Sequence, residues 1–177
     1  MAMSESYGIR PNPSLQSAMA VRSCPISAFE RLCIAENYPY ERLNATDMHI
    51  RMPGLWCDHE ISICWMPQKE LLKLHLAFSG RTLGGRSDDM CRLLSLINER
   101  LNVGHFDYWQ KHGTLVYRDS MSLCGGASVK MEQVMSMLAS ALDAAERGYP
   151  ACQYVMWAGQ SPEEALNSAL VDIAGSL

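Results

Sequence analysis

The sequence predicts an α+β fold in which helices pack on one face of an antiparallel sheet. Two periodicities alternate along the chain: apolar residues recur every three or four positions in some segments and every second position in others. The strand-like segments follow one another through short turns, which is typical of antiparallel pairing. With 177 residues, of which 48% are apolar and 19% charged, the chain can bury a core of its own. We expect a flexible tail over residues 1–24 and a single domain over residues 25–177.

The first half of this domain is predicted to hold one helix and a meander of three or four strands. The helix begins at Pro25, because proline suits the first helical turn, and ends at the segment Asn37-Tyr38-Pro39. Its apolar stripe consists of Ile26, Phe29, Leu32 and Cys33. Alternating residues then predict strands over residues 48–52, 55–65 and 72–78, joined by turns at Pro53-Gly54 and Met66-Pro67-Gln68-Lys69. On the middle strand, one face consists of Leu55, Cys57, His59, Ile61, Ile63 and Trp65.

A second helix and two further strands are predicted next. Ser87 is placed to cap the helix N-terminus, two aspartates follow in the first turn, and Gly104 closes the helix. Its apolar stripe consists of Met90, Leu93, Leu94, Ile97 and Leu101. The strands are expected over residues 106–110 and 114–124, on either side of the turn Lys111-His112-Gly113.

Two helices complete the predicted order. Ser128 can cap a long helix, and we expect a kink or break where Gly148 and Pro150 interrupt it. The last helix opens at a capping box formed by Ser161 and Glu164. The full order is helix, three or four strands, helix, two strands, helix, helix.

Charge and composition weigh against several classes of function. A net charge of −4 without a cluster of lysine and arginine argues against a nucleic-acid partner. No stretch approaches the roughly 18 apolar residues of a membrane span, and no signal peptide is visible, so we expect a cytoplasmic protein without a membrane partner. The seven cysteines are odd in number and lack a C-x-x-C pair, which predicts reduced thiols in apolar positions.

Two groups of residues could carry chemistry, and each has a simpler interpretation. His105 and Asp107 could act as a base and the group that orients it, but strand positions two apart touch poorly, and packing of the neighbouring aromatic residues explains the segment. Cys57 and His59 share a strand face and could reach a metal ion. The paired, closely spaced ligands of a structural zinc site are absent, which favours packing.

Three further features are weighed in the same way. Glycines and arginines over residues 80–87 could hold an anion at a helix start, although a connector explains them as well. Cys124 before Gly125-Gly126 could be a reactive thiolate at a helix N-terminus, but the sequence implies no histidine beside it. The methionines of the long helix suit either a core or an adaptable binding surface. We therefore assign no catalytic, cofactor-binding or metal-binding residue and expect a protein that is not an enzyme and needs no cofactor.

Several motifs together resemble the YbjN-like family of bacterial proteins, which are regarded as sensory transduction regulators. The matching segments are Pro53-Gly54-Leu55-Trp56, residues 93–101, Gly104-His105-Phe106-Asp107-Tyr108-Trp109, residues 149–157 and Ser161-Pro162-Glu163-Glu164-Ala165-Leu166. They extend over most of residues 25–175 and leave the tail outside. Cys57 and His59 stand where the family pattern would have other residues. The resemblance implies a fold similar to type III secretion chaperones, with the order α-β-β-β-α-β-β-α, and it brings no catalytic residues with it.

The leading hypothesis is a non-enzymatic, cytoplasmic protein-interaction module, either a sensory transduction regulator or a chaperone-like adaptor. The alternative is a regulatory domain that senses a small molecule in a pocket between sheet and helices. We also expect a homodimer, with its interface on the long helix from Val129 to Arg147 or on the strand from Thr114 to Cys124. Trp157 and Leu166 are expected to anchor the last helix in the core.

Overall fold

The local periodicities of the sequence are realised as six strands and four α-helices. The computed structural model describes residues 24–78 and 86–175. Within them the strands form one antiparallel sheet in the order β1-β2-β3-β4-β6-β5, and the helices cover one of its faces. The helices are α1 (Pro25–Glu36), α2 (Ser87–Asn98), α3 (Met131–Met156) and α4 (Pro162–Gly175). The strands are β1 (Tyr40–Arg42), β2 (Asp47–Met52), β3 (His59–Met66), β4 (Leu71–Phe78), β5 (His105–Trp109) and β6 (Thr114–Ser122). The predicted α+β class and element order are confirmed.

The register of the sheet separates an apolar face from a polar one. Alternate residues of β4 from Leu72 to Phe78 are buried, and those between them are half-buried. Ile61 on β3 lies opposite Leu76, which in turn lies opposite Tyr117 on β6. Because directly paired residues point to the same side of a sheet, these buried side chains form one layer beneath the helices. The other face of the sheet carries mainly polar and charged side chains.

Two of the predicted strands differ from those in the structure. The strand expected from residue 55 begins at His59, because residues 53–58 form a loop that docks on α3. The additional strand β1 pairs with β2, and the sequence analysis did not place it because its three residues are all exposed and show no alternation. The strand predicted over residues 114–124 ends at Ser122.

The helix ends were predicted less well than the helices themselves. Arg86, and not Ser87, occupies the N-cap position of α2, and α3 begins at Met131 rather than after Ser128. At that start, the Gln133 side chain accepts a hydrogen bond from the backbone N–H of Lys130 at 2.9 Å. The capping box expected at the start of α4 is confirmed by bonds between Ser161 and Glu164 of 2.7, 3.0 and 3.4 Å.

The helix α2 ends at Asn98, several residues before Gly104. The Asn98 side chain donates to the carbonyl of Phe106 at 3.0 Å and accepts from the N–H of Phe106 at 2.7 Å. These bonds tie the end of α2 to β5, so the chain leaves the helix early. Gly104 instead precedes β5 with a φ of 65°, in the left-handed region that glycine tolerates.

The predicted break in the long helix is wrong, because α3 runs without interruption through Pro150. Proline lacks an N–H, so the carbonyl of Glu146 loses its partner within the helix. The indole Nε1–H of Trp56 donates to that carbonyl at 3.1 Å and replaces the missing bond. Gly148 has a different role, because a Cβ there would lie 2.7 Å from the ring of Phe106.

Only one of the two expected anchors of the last helix is buried. Leu166 is 9% exposed, whereas Trp157 is 57% exposed, so the prediction for Trp157 is wrong. Polar contacts fix this turn instead, since Arg86 donates to the carbonyls of Val155 and Gln160, each at 2.9 Å.

The predicted tail, residues 1–24, lies outside the described residues except for Cys24, and so does the expected connector over residues 80–85. None of the helices in the described part is long and apolar enough to cross a membrane. All seven cysteines fall within the described residues, and no disulfide joins any two of them there.

Candidate functional site

Two adjoining cavities form a groove along α3, and we call them together the α3 groove. Their volumes are about 380 and 270 Å³, and Val103 and Ser140 line both of them. The larger cavity lies between α2, α3 and α4, and the smaller one lies between α3 and β6. The apolar part of the lining consists of Ile97, Leu101, Met121, Met137, Ala144 and Leu166.

Local structure holds both walls of the α3 groove in place. Ser140, Ala144 and Arg147 recur at helical spacing, so they lie along one side of α3. The opposite wall contains Val103, whose carbonyl accepts a hydrogen bond from the hydroxyl of Tyr117 at 2.9 Å. Tyr117 is fully buried, and this burial raises the pKa of its hydroxyl to about 12, so it stays a neutral donor. Val103 itself remains half exposed towards the groove.

The two ends of the α3 groove carry opposite charge. At the larger cavity lie Arg100, whose guanidinium has no hydrogen-bonded partner among the described residues, and Arg147, which pairs with Asp143 at 2.8 Å. At the smaller cavity lie Asp119 and Glu132. Burial raises the pKa of the Asp119 carboxyl, while the nearby charge of His105 and a backbone hydrogen bond act in the opposite direction. The groove therefore offers an apolar floor between a basic end and an acidic end, which suits binding.

A second exposed feature is the pair Leu55 and Trp56, which we call the apolar tip. Leu55 is 81% exposed and Trp56 is 40% exposed, yet their loop is held firmly. The carboxylate of Glu146 accepts a hydrogen bond from the N–H of Leu55 at 3.0 Å, and the indole of Trp56 bonds the Glu146 carbonyl. Large apolar side chains on a loop with a fixed conformation are typical of contact surfaces.

His59 takes part in this loop attachment and is not placed to bind a metal. It is completely buried, and its Nε2 lies 2.8 Å from the same carboxylate oxygen of Glu146 that bonds Leu55. A Cβ on Gly54 would collide with this pair, so only glycine fits there. In the described part of the chain, no three His, Cys, Asp or Glu side chains are grouped to hold a metal ion. The structure thus brings Cys57 and His59 into the fold as packing residues.

His105 and Asp107 do not form a base–orienter pair. Asp107 accepts hydrogen bonds from Arg118 at 2.8 Å and from the indole of Trp109 at 3.1 Å. Burial raises the pKa of Asp107, but these two bonds, the charge of Arg118 and a backbone hydrogen bond together lower it below its usual value. The carboxylate is therefore engaged in an ion pair on the open sheet face, where His105 is exposed.

The remaining candidates are Cys124, the segment 80–87 and the methionines of α3. Cys124 lies in a short 3₁₀ turn, and α3 begins only at Met131, so this thiol is not at the N-terminus of the long helix. Of the suggested anion loop, residues 80–85 lie outside the described residues, and the guanidinium of Arg86 is occupied by Asp89 and two carbonyls. Among the methionines of α3, Met137 is buried and Met135 is half exposed.

No sequence motif indicates the α3 groove. Its walls come from segments far apart in the chain, and Val103 and Arg100 lie in a connection without any period. Local sequence patterns therefore do not indicate the groove. The charged residues at helical spacing on α3 indicate only that this helix has a polar side.

Comparisons with known proteins agree with this architecture. Residues 25–154 match the family model YbjN, described as a putative bacterial sensory transduction regulator. The crystal structure of the ExsC–ExsE complex is similar, with a TM-score of 0.53 and 17% identity over 72% of this chain and 92% of that chain. The crystal structure of YbjN, a putative transcription regulator from E. coli, has a TM-score of 0.51 and 12% identity over 70% of this chain and 87% of that chain. At such low identity these two likenesses show the fold alone. No curated protein matches the sequence.

Proposed function

This chain belongs to the YbjN family, and from that premise we propose that it is a non-enzymatic regulator that acts by holding a segment of another protein. The α3 groove is the observation that carries this proposal. An apolar floor with charged ends can bind a chain segment, while the described residues bring no nucleophile and base together around it. A similar fold is found in a complex of two proteins, ExsC and ExsE, which supports the same kind of role.

The dimensions of the α3 groove suit an extended segment. The groove follows 17 residues of α3, from Glu132 to Gly148, and the 16 steps between them at about 1.5 Å each span roughly 24 Å. An extended chain rises about 3.3 Å per residue, so about seven residues would fill it. The basic end at Arg100 and Arg147 would favour an acidic residue of the segment, and the acidic end a basic one.

A variant that fills the α3 groove tests this proposal. Ser140→Trp places a large side chain between the two cavities, and Ala127→Trp adds the same side chain at an exposed position before α3, outside both cavities. Peptides selected from a random library against the natural protein should bind Ala127→Trp normally and Ser140→Trp at least about tenfold more weakly. Selected peptides that bind both variants equally would show that the segment is held elsewhere.

The alternative function, sensing of a small molecule, is favoured by one observation. The larger cavity has a volume of about 380 Å³ and an unpaired guanidinium at its mouth, which is within the roughly 300–1,000 Å³ of ligand pockets. Native mass spectrometry of protein purified from its own host distinguishes the two. A retained small molecule that is lost in Ser140→Trp supports sensing, whereas an empty protein that selects peptides supports the leading proposal.

We also propose that the protein is a homodimer through the outer side of α3. Met135 on that side is 49% exposed, and an adaptable methionine surface suits self-association. The other suggested source, β6, pairs with β4 on one side and with β5 on the other over residues 114–118, so only its last four residues have a free edge. Sedimentation equilibrium at micromolar concentration should give about twice the 19.8 kDa chain mass, and Met135→Lys should give a monomer. A natural protein that sediments as a single chain contradicts the dimer.

A further inference from the structure

We propose that the open face of the sheet carries a binding site for a phosphate monoester, which shares the lining residue Asp119 with the α3 groove. The site is a cavity of about 270 Å³ whose lining includes Lys73, His75, His105, Arg118, Asp119 and Ser120. We call the first four of these residues the basic cluster.

The strand register places the basic cluster in adjacent rows. His75 on β4 lies opposite Arg118 on β6, and Arg118 lies opposite His105 on β5. Lys73 lies opposite Ser120 in the next row. Directly opposed strand residues have Cβ atoms about 5 Å apart, so four basic side chains and one hydroxyl converge over three strands.

Two neighbours give the cavity a fixed shape. The ring of Trp109 packs edge-on against the ring of His75 with centroids 5.7 Å apart, so its indole lies across the strands. The same indole and Arg118 both bond Asp107, which holds the guanidinium in place and leaves part of it free to donate. Trp109 is 37% exposed and lies next to His75 at the side of the cavity, outside its lining, where a group that extends from a bound molecule could reach it.

Within the described residues, only Arg118 of the basic cluster has an ion-pair partner, Asp107. Lys73 and His105 make no hydrogen bond or ion pair to any other side chain in the described part of the protein. A bound anion would favour the charged form of the His75 imidazole, which lies opposite Arg118. In the free protein the pKa of His75 is lowered, first by burial and then by the charges of Arg118 and Lys73. A lowered pKa is expected for a histidine in an anion site that holds no anion. The carboxylates that face this group are Asp107, already paired with Arg118, and Asp119, whose pKa is raised by burial.

The number of donors favours a phosphate over a carboxylate. The site offers more N–H and O–H groups than two carboxylate oxygens can accept. These donors belong to Lys73, Arg118, the two imidazoles and the Ser120 hydroxyl. A phosphate monoester has three free oxygens and up to two charges. Its organic group would lie against Trp109.

Calorimetry with phenyl phosphate, methyl phosphate and inorganic phosphate at constant ionic strength and pH 6.5 tests the site. We expect phenyl phosphate to bind, and we expect Lys73→Gln or His105→Gln to weaken it by about tenfold each, because each removes a charge-assisted donor. Lys69→Gln is the matched control, since it removes the same charge in the exposed turn between β3 and β4, outside the cavity. It should change the affinity less than about twofold.

The NMR titration of the His75 ring supplies a second measurement. Phenyl phosphate should raise the pKa of His75, because a nearby anion favours the charged imidazole. Tighter binding of phenyl phosphate than of the other two probes identifies an aromatic monoester as the ligand type, and equal binding of all three identifies the phosphate group alone. Absence of binding at millimolar concentration, or equal weakening by Lys69→Gln and Lys73→Gln, overturns the proposal.

Discussion

Replacement of Glu146 by alanine should release the loop that carries the apolar tip. One carboxylate oxygen of Glu146 accepts hydrogen bonds from the N–H of Leu55 at 3.0 Å and from Nε2 of the buried His59 at 2.8 Å. Each hydrogen bond to a charged group contributes about 1.5–3 kcal/mol, and an unpaired buried imidazole adds a desolvation cost. We therefore expect Glu146→Ala to lower the free energy of unfolding by about 3 kcal/mol.

Two further variants separate the carboxylate's role from a general effect on α3. Glu146→Gln keeps an acceptor oxygen and should cost only about 1 kcal/mol, because neutral acceptors form weaker bonds. Asp143→Ala removes a carboxylate one turn earlier, where it forms an exposed pair with Arg147, and should cost less than about 0.5 kcal/mol.

Urea melts followed by circular dichroism measure all three variants, and hydrogen exchange at the Leu55 amide reports on the loop itself. In Glu146→Ala that amide should exchange much faster than in the natural protein. A loss below about 1 kcal/mol with unchanged exchange at Leu55 would refute the assignment of Glu146 as the group that holds the loop.

Two other predictions concern burial. Leu166→Ala should lower the free energy of unfolding in urea melts by about 2–5 kcal/mol, because it leaves a cavity in the core. Trp157→Ala should lower it by less than about 1 kcal/mol, because that side chain is half exposed. Similar losses of stability in both variants would contradict the observed packing. In the folded protein at pH 8, iodoacetamide should modify Cys91 and Cys124 first, since both are exposed. Cys152 should react only after denaturation, because burial raises its pKa to about 12 and shields the thiol. Denaturation without reductant should yield seven alkylated thiols by intact mass, and a lower number would show a disulfide.

The apolar tip and the α3 groove both depend on α3, although they lie on different parts of it. Glu146 holds the tip through its carboxylate and its carbonyl, and Arg147, the next residue, lines the groove. Peptide binding should therefore also be measured for Glu146→Ala. Weaker peptide binding together with faster exchange at the Leu55 amide would show that the two surfaces are coupled through this turn of the helix.

The element order was readable from the sequence because it depends on local spacing. The alternation from Leu72 to Phe78 and the capping box of Ser161 and Glu164 each involve residues within a few positions of one another, and both occur as expected. The short strand β1 was missed because three exposed residues contain no alternation to detect.

Tertiary structure alone decided the contacts that hold the functional surfaces. Glu146 lies 91 residues from Leu55 and 87 from His59 in the chain, so no spacing rule could have paired them. The same is true of Pro150. Its missing N–H predicts a break in the helix, but the indole of Trp56, from a distant loop, donates to the carbonyl of Glu146 that proline leaves without a partner. Periodicity reports which face of an element is apolar, but it does not report which other element covers that face. The groove, the apolar tip and the basic cluster all arise at such meetings of distant segments, which is why only the folded chain reveals them.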